Sequence, residues 1–252
     1  MTNMKKRIAL VTGGVGGIGT AICKRLAQDG HFVVANYAIP GTEERWHTAM
    51  NAAGLNGSTS GLAFGDVTDY AAMGDMIAKI EAEHGPVEIL VNCAGITRDS
   101  TFRKMTPEQW RAVLSTNLDS VFNVTHHVIE TMMERGWGRI VNISSVNAVR
   151  GQFGQTNYAA AKAGILGFTK SLAQEVVKKG VTVNAISPGY VETDMVMAIR
   201  EDVRQKIVSE IPAGRLAMPD EIADAVAFLV SEKAAYITGT NLAVNGGLHM
   251  YS

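Results

Sequence analysis

The sequence predicts a doubly wound α/β fold, a seven-stranded parallel sheet with helices on both faces. Three observations predict it. Short β-branched runs alternate with longer segments of helical period, the signature of βαβ units. The first such run leads directly into a glycine-rich turn, and several runs are apolar throughout, as strands covered on both faces must be.

Ile8–Val11 opens the sheet and runs into Thr12-Gly13-Gly14-Val15-Gly16-Gly17-Ile18-Gly19, followed by a helix beginning near Thr20. Glycines let backbone approach a pyrophosphate, and the helix start presents free N–H groups and a positive dipole end to it. Gly14, Gly16 and Gly19 fit the general dinucleotide fingerprint of a Rossmann unit, whereas Gly13, Gly17 and Gly19 fit a T-G-x-x-x-G-x-G variant. The strand–turn–helix context favours nucleotide binding over a merely flexible turn. The next strand, Phe32–Ala35, ends on Asn36-Tyr37, where an acidic residue would hold the adenosine ribose and repel a 2′-phosphate. Its absence favours NADPH, with Arg45 the nearest downstream cation. Gly61–Phe64 leads through Gly65 to Asp66-Val67, placed either to contact the adenine amino group or simply to turn the chain.

Ile89–Asn92, Arg139–Ile143, Thr182–Ile186 and Asn241–Val244 complete the strands. Between them, Gly30, Gly85, Gly136 and Gly180 each follow a periodic stretch that needs a C-terminal cap. Thr106-Pro107-Glu108-Gln109 has the form of a capping box with proline at the first helical position. The segment 192–212, rich in methionine and charge, is expected to be a mobile helical flap. No linker or repeat divides the chain, so one domain over residues 1–252 is expected.

Composition narrows the function classes. Of 252 residues 46% are hydrophobic and 19% charged, which argues against disorder, and a formal net charge of -1 gives no general attraction to nucleic acid. Cys23 and Cys93 fall where small apolar residues would serve, without metal-ligand spacing, and His126-His127 lacks a third ligand, so no metal is expected. Lys5-Lys6-Arg7 precedes too short an apolar run for a signal peptide, and no later run spans a membrane. A cytoplasmic protein is expected.

Tyr158 and Lys162 lie four apart in a helical stretch and share one face. That spacing alone is ordinary; its interest comes from Ser144-Ser145, which end the preceding strand at the edge where open α/β sheets place ligands. Reducing a ketone needs a hydride donor and an acid that protonates the oxygen as charge develops. A tyrosine acid brought from about 10 toward ~7 requires roughly 4 kcal/mol of phenolate stabilisation, which a nearby Lys162 ammonium is expected to supply. Ser145 would polarise the same carbonyl, and Asn117, otherwise a poor helix residue, would hold a water that reloads the proton.

With these residues assembled, nearly the whole chain resembles the classical short-chain dehydrogenase/reductase family. The likeness is carried by Thr12 to Gly19, Asn92-Cys93-Ala94-Gly95, Asn117, Ser145, Tyr158-x-x-x-Lys162, Pro188-Gly189 with Thr193, and Asn245-Gly246-Gly247. Cys93 replaces the family's usual second Asn. The resemblance implies Tyr158 as acid/base, Ser145 as carbonyl-orienting residue, Lys162 on the nicotinamide ribose, and Asn117 as the water-positioning member of the relay. It further implies a cofactor site of Gly13, Gly16, Gly17, Ile18, Gly19, Asn36, Tyr37, Gly65, Asp66, Val67, Asn92, Ala94, Gly95, Tyr158 and Lys162, with Pro188, Gly189, Val191 and Thr193 along the nicotinamide and phosphates. A homotetramer is implied too.

Within the family, Gly95-Ile96-Thr97-Arg98-Asp99, Arg135-Gly136-Trp137-Gly138-Arg139, the run Gly151 to Tyr158, Ser187-Pro188-Gly189-Tyr190 and Gly246 to Met250 resemble the acetoacetyl-CoA reductases of polyhydroxybutyrate synthesis. This makes Asp99, Ser145, Gln152, Phe153, Gln155, Tyr158, Tyr190 and Arg200 the expected substrate residues. A 3-ketoacyl-acyl carrier protein reductase shares the tetrad and stays open, with Arg98, Arg103 and Lys104 able to meet either CoA phosphate or an acidic carrier. A catalytically inactive nucleotide-binding regulatory protein, and a polyol or steroid dehydrogenase, are further alternatives.

Overall fold

The structure, a computed structural model, describes residues 6–250; Lys5 of the basic N-terminal triplet lies outside the described residues. Seven strands form one parallel sheet: β1 Ile8–Thr12, β2 Phe32–Tyr37, β3 Ser60–Phe64, β4 Val87–Asn92, β5 Gly138–Ile143, β6 Val181–Pro188 and β7 Asn241–Val244. Every expected strand is present, several longer by one or two residues. Their order, β3-β2-β1-β4-β5-β6-β7, reverses between β1 and β4, and the crevice at such a switch point lies at the strand C-termini.

Among the described residues ten α-helices surround the sheet: α1 Gly17–Gln28, α2 Glu43–Ala52, α3 Tyr70–His84, α4 Pro107–Leu114, α5 Ser120–Glu134, α6 Asn147–Arg150, α7 Thr156–Val176, α8 Asp194–Met197, α9 Glu201–Glu210 and α10 Pro219–Val230. Two apolar cores separate along the sheet's faces. Ile22 and Leu26 of α1, Trp46 and Met50 of α2 and Ile222 and Val226 of α10 pack on one face. Met73 and Ile77 of α3, Val124 and Val128 of α5 and Val176 of α7 pack on the other. The capping box closes as expected, Thr106 accepting from the Gln109 backbone N–H while Gln109 accepts from that of Thr106. The expected flap segment is helical in α8 and α9, with no fully buried residue in either helix.

The C-terminal ends of the central strands are fixed by buried polar side chains. Thr12, Asn92 and Asn142 stand in register across β1, β4 and β5. Asn92 donates to Asn142 Oδ1 at 2.8 Å and to Thr125 of α5 at 3.1 Å, and Asn142 donates to Thr169 of α7 at 2.9 Å. This ladder ties the sheet to α5 and to α7, which carries Tyr158 and Lys162, because a buried amide must find partners or bear its desolvation cost. Replacing Asn142 with Ala leaves the Asn92 amide and the Thr169 hydroxyl short of a partner. We expect Asn142→Ala to lose roughly 2–4 kcal/mol in urea denaturation with the slope unchanged; a loss near zero would show that the ladder does not hold the strand ends.

Candidate active site

The glycine turn is shaped by two different demands. Gly13 has φ +60°, and a Cβ on Gly19 would lie 2.2 Å from the Gly13 carbonyl oxygen, so these two glycines let the turn fold on itself. Gly16 has nothing closer than 3.4 Å to an added Cβ, whereas a Cβ on Gly17 would come within 3.1 Å of Thr193, so the turn passes close to the flap at Gly17. Gly16 caps α1 without a side-chain hydrogen bond. The first-turn N–H groups of Gly17, Ile18 and Gly19 are therefore available to an anion. These residues fit the diphosphate of a dinucleotide.

Several expected cofactor residues act from beneath. Asn36, 1% exposed, accepts from the Gly13 N–H and donates to the Gly65 carbonyl at 2.9 Å, so its side chain braces the turn and does not face an adenosine ribose. Asn92 is likewise spent in the buried ladder. Val191 is buried, its backbone bridged to Ala217. Tyr37 edges onto Phe64 at the end of β2 and Asp66 stands exposed, one oxygen taken by the Thr68 N–H and hydroxyl. Val67 presents its carbonyl to Asn123. Ala94 lies against Gly13, and Gly189 against Asn245 with Pro188 before it at the end of β6. Arg45 is exposed and paired with Asp194 of α8 at 2.5 Å.

The four expected catalytic residues converge at the C-terminal edge of β4 and β5. Lys162, 4% exposed, donates from Nζ to the Ile143 carbonyl at 2.8 Å, and the Ser144 hydroxyl donates to the Lys162 carbonyl at 2.8 Å. These two bonds lock α7 against the end of β5. Ser145 follows immediately, its hydroxyl accepting from the Asn147 N–H at 3.1 Å and meeting the Tyr158 hydroxyl. A Cβ on Gly95 would lie 3.4 Å from Lys162 Nζ and 3.3 Å from Asn117 Oδ1, so Gly95 leaves both side chains their room.

Asn117 sits in a π-helical turn, Ser115–Asp119, between α4 and α5. Its amide pairs twice with Ile96, accepting from the N–H at 2.8 Å and donating to the carbonyl at 2.9 Å. These two bonds anchor the loop after β4.

The electrostatics also depart from expectation. Burial pushes Tyr158 up to about 12, opposed by its bond to Ser145, and burial pulls Lys162 down to about 8. Lys162 Nζ lies 5.7 Å from the Tyr158 ring centroid and donates to the Ile143 carbonyl, and it is not among the groups that shift the phenol. Tyr158 is consequently protonated at neutral pH, as a proton donor must be.

Substrate candidates divide. Asp99, Gln155, Asn147 and Ser145 are joined by hydrogen bonds. Tyr190 is half-buried, burial raising its phenol. Gln152 accepts from Arg150, and Phe153 is 86% exposed. Arg200 is turned away in a two-point pair with Asp202 at the start of α9, so the structure does not bring it to the site. Sequence reading passed over Thr12, Ser144, Asn147 and Asn157. Thr12 accepts from the N–H groups of Cys93 and Ala94, and fully buried Asn157 donates to the Arg98 carbonyl and accepts from the Tyr158 N–H. Their only signal is a polar residue at the end of an apolar run or beside Tyr158.

Among the described residues no cluster of His, Cys, Asp and Glu is arranged to hold a metal, and no helix is long and apolar enough to cross a membrane. His126 and His127 both bond Tyr70, and the two thiols are free and buried or half-buried, burial raising both.

Comparison with known proteins gives a consistent placement. The model of the family described as enoyl-(acyl carrier protein) reductase matches residues 14–249. Nodulation protein G of Azospirillum brasilense is 58% identical, over 98% of this chain and 99% of the relative. An acetoacetyl-CoA reductase of Allochromatium vinosum is 57% identical, over 97% and 99%. A 3-oxoacyl-acyl-carrier-protein reductase of Escherichia coli (strain K12) is 49% identical, over 98% and 99%.

The burial of Lys162 has a measurable consequence. Its folded value lies below the ordinary 10.5, so the folded protein binds fewer protons than the unfolded chain between about pH 8 and pH 10.5. Stability therefore rises with pH across that window, and the full cost is present below it. Lys162→Met removes a cost of about 3 kcal/mol at pH 7, offset by the lost bond to Ile143. We expect thermal melts to show the variant at least as stable as the parent at pH 7, with its advantage shrinking toward pH 10; a pH-independent loss would contradict the burial cost.

Proposed function

This chain belongs to the short-chain dehydrogenase/reductase family, and on that premise we propose that it reduces acetoacetyl-CoA to (3R)-3-hydroxybutyryl-CoA with NADPH. The observation that carries the reading is the convergence of Tyr158, Ser145, Lys162 and Asn117 at one sheet edge beside an open glycine turn. The acyl-CoA substrate is favoured by the 57% likeness to an acetoacetyl-CoA reductase over the 49% likeness to a carrier-protein reductase. NADPH is favoured by the lack of an acidic residue at Asn36-Tyr37 and by Arg45 downstream.

The bound nicotinamide supplies a hydride to the ketone carbon. Ser145, with one lone pair taken by the Asn147 N–H, keeps its hydroxyl hydrogen for the ketone oxygen. Tyr158 delivers its proton to that oxygen as negative charge develops. Lys162 holds the ribose hydroxyls from its anchored position on Ile143. The water that reloads the proton is assigned to the Asn117 backbone carbonyl, since the side chain is occupied. Gly16, Gly17, Ile18 and Gly19 would hold the cofactor's diphosphate.

We place the reaction in polyhydroxybutyrate synthesis in the cytoplasm, carried out by a homotetramer. An exposed aromatic group on α3 and α5, Tyr70 stacked on Phe122, supports burial of that face by a second copy.

Two measurements test this function. Initial rates with acetoacetyl-CoA are expected to exceed those with the same acyl group on acyl carrier protein, and NADPH to exceed NADH; a clear preference for the carrier-bound substrate would replace the reading with a fatty acid synthesis reductase. Tyr158→Phe is expected to lower kcat on the order of 10²–10⁴-fold while NADPH binding, followed by fluorescence, is retained. Retained turnover would remove Tyr158 from the chemistry.

A further inference from the structure

The loop after β3 is held peptide by peptide, and one of its holders comes from a distant helix. Gly65 donates its N–H to the Tyr37 carbonyl at 2.9 Å and gives its own carbonyl to Asn36 at 2.9 Å. The Asp66 carbonyl accepts from the Asp69 N–H at 3.0 Å. The peptide between Val67 and Thr68 is gripped at both ends. Its oxygen accepts from Asn123 Nδ2 of α5 at 3.0 Å, and its N–H donates to Asp66 Oδ1 at 2.9 Å.

This bracing divides the polar groups of the loop into spent and free. Only the nitrogen of an amide donates to a carbonyl, so Asn123, 7% exposed, has its orientation fixed. Val67 is 5% exposed, and without Asn123 its carbonyl would be a buried acceptor short of a donor. Asp66 Oδ1 also takes the Thr68 hydroxyl at 2.8 Å, which holds the carboxylate and leaves Oδ2 as its free acceptor. Among the described residues the Val67 N–H has no partner either. A held donor and a held acceptor therefore stand on adjacent residues just beyond β3, at the sheet edge where α/β folds bind ligands. The pair complements adenine, whose ring N1 accepts beside an amino group that donates. It opposes hypoxanthine, which presents an N–H and a carbonyl at the same two positions.

We propose that Asn123 is a positioning residue for the cofactor's base: by holding the Val67 carbonyl it keeps the Val67 N–H and the Asp66 carboxylate set for adenine and against a 6-oxopurine. The inference rests on the nicotinamide dinucleotide of the function proposed above and concerns the end of it farthest from the chemistry.

The test measures dissociation constants, by nicotinamide fluorescence, for NADPH and for reduced nicotinamide hypoxanthine dinucleotide phosphate, which differ only in the base. The parent protein is expected to favour NADPH on the order of tenfold, and Asn123→Leu to lose about fivefold of that preference, the value of one directed hydrogen bond, chiefly through weaker NADPH binding. Asn123→Ser removes the same amide with a smaller side chain and is expected to lose preference in the same direction, so the result does not hang on the folding of one variant. An asparagine that merely supports the fold would weaken both dinucleotides alike. Equal loss for both, or an unchanged preference, would overturn the proposal. A parent that binds the two equally would also overturn it while leaving the reductase reading intact. Binding of neither would remove that reading and this inference with it.

Discussion

The site depends on the double tie between α7 and the end of β5. Lys162 Nζ reaches the Ile143 carbonyl and Ser144 reaches the Lys162 carbonyl, so a helix and a strand end are fastened at two points within one turn. Parallel strands end with backbone groups that need partners, and helices on a doubly wound sheet are free to slide unless something holds their register. This tie sets the register. Tyr158, one helical turn before Lys162, and Ser145, one residue after Ser144, are thereby brought to the same point. The buried ladder of Asn92, Asn142 and Thr169 repeats the fastening one layer deeper.

Burial explains the charge states. Taking a phenol and an ammonium out of water penalises the ionised form of each, raising Tyr158 and lowering Lys162. The result is a site that holds its proton on tyrosine until charge appears on a substrate oxygen. Ser145 opposes part of the rise until a ketone oxygen takes its hydroxyl hydrogen.

The fold was legible because its signals are repeated: seven apolar runs, a glycine turn after the first, and glycines at the helix ends. Strand limits moved outward where polar residues such as Thr12, Asn36 and Ser187 continue the ladder. The candidate catalytic residues could be picked out by type and position. What their side chains do could not. Asn36 and Asn117 were taken as ligand contacts because they are polar at sheet-edge or helix positions, yet each is consumed in bracing a turn or a loop. Asn147 gave no signal, since its part depends on Gln155 and Asp99, which lie 8 and 48 residues from it in sequence and come together only in the folded chain. Arg200 was carried over from the resemblance, and the helix it caps supplies the carboxylate that holds it elsewhere.

The tie between α7 and β5 aims Ser145 and residue 158 at one substrate oxygen. A crystal structure of the Tyr158→Phe variant with oxidised cofactor and acetoacetyl-CoA tests this most directly. The account predicts the 3-keto oxygen within about 3 Å of Ser145 Oγ, beside the ring of residue 158, with Lys162 still on the Ile143 carbonyl. A keto group bound away from Ser145, with the α7 register intact, would contradict it.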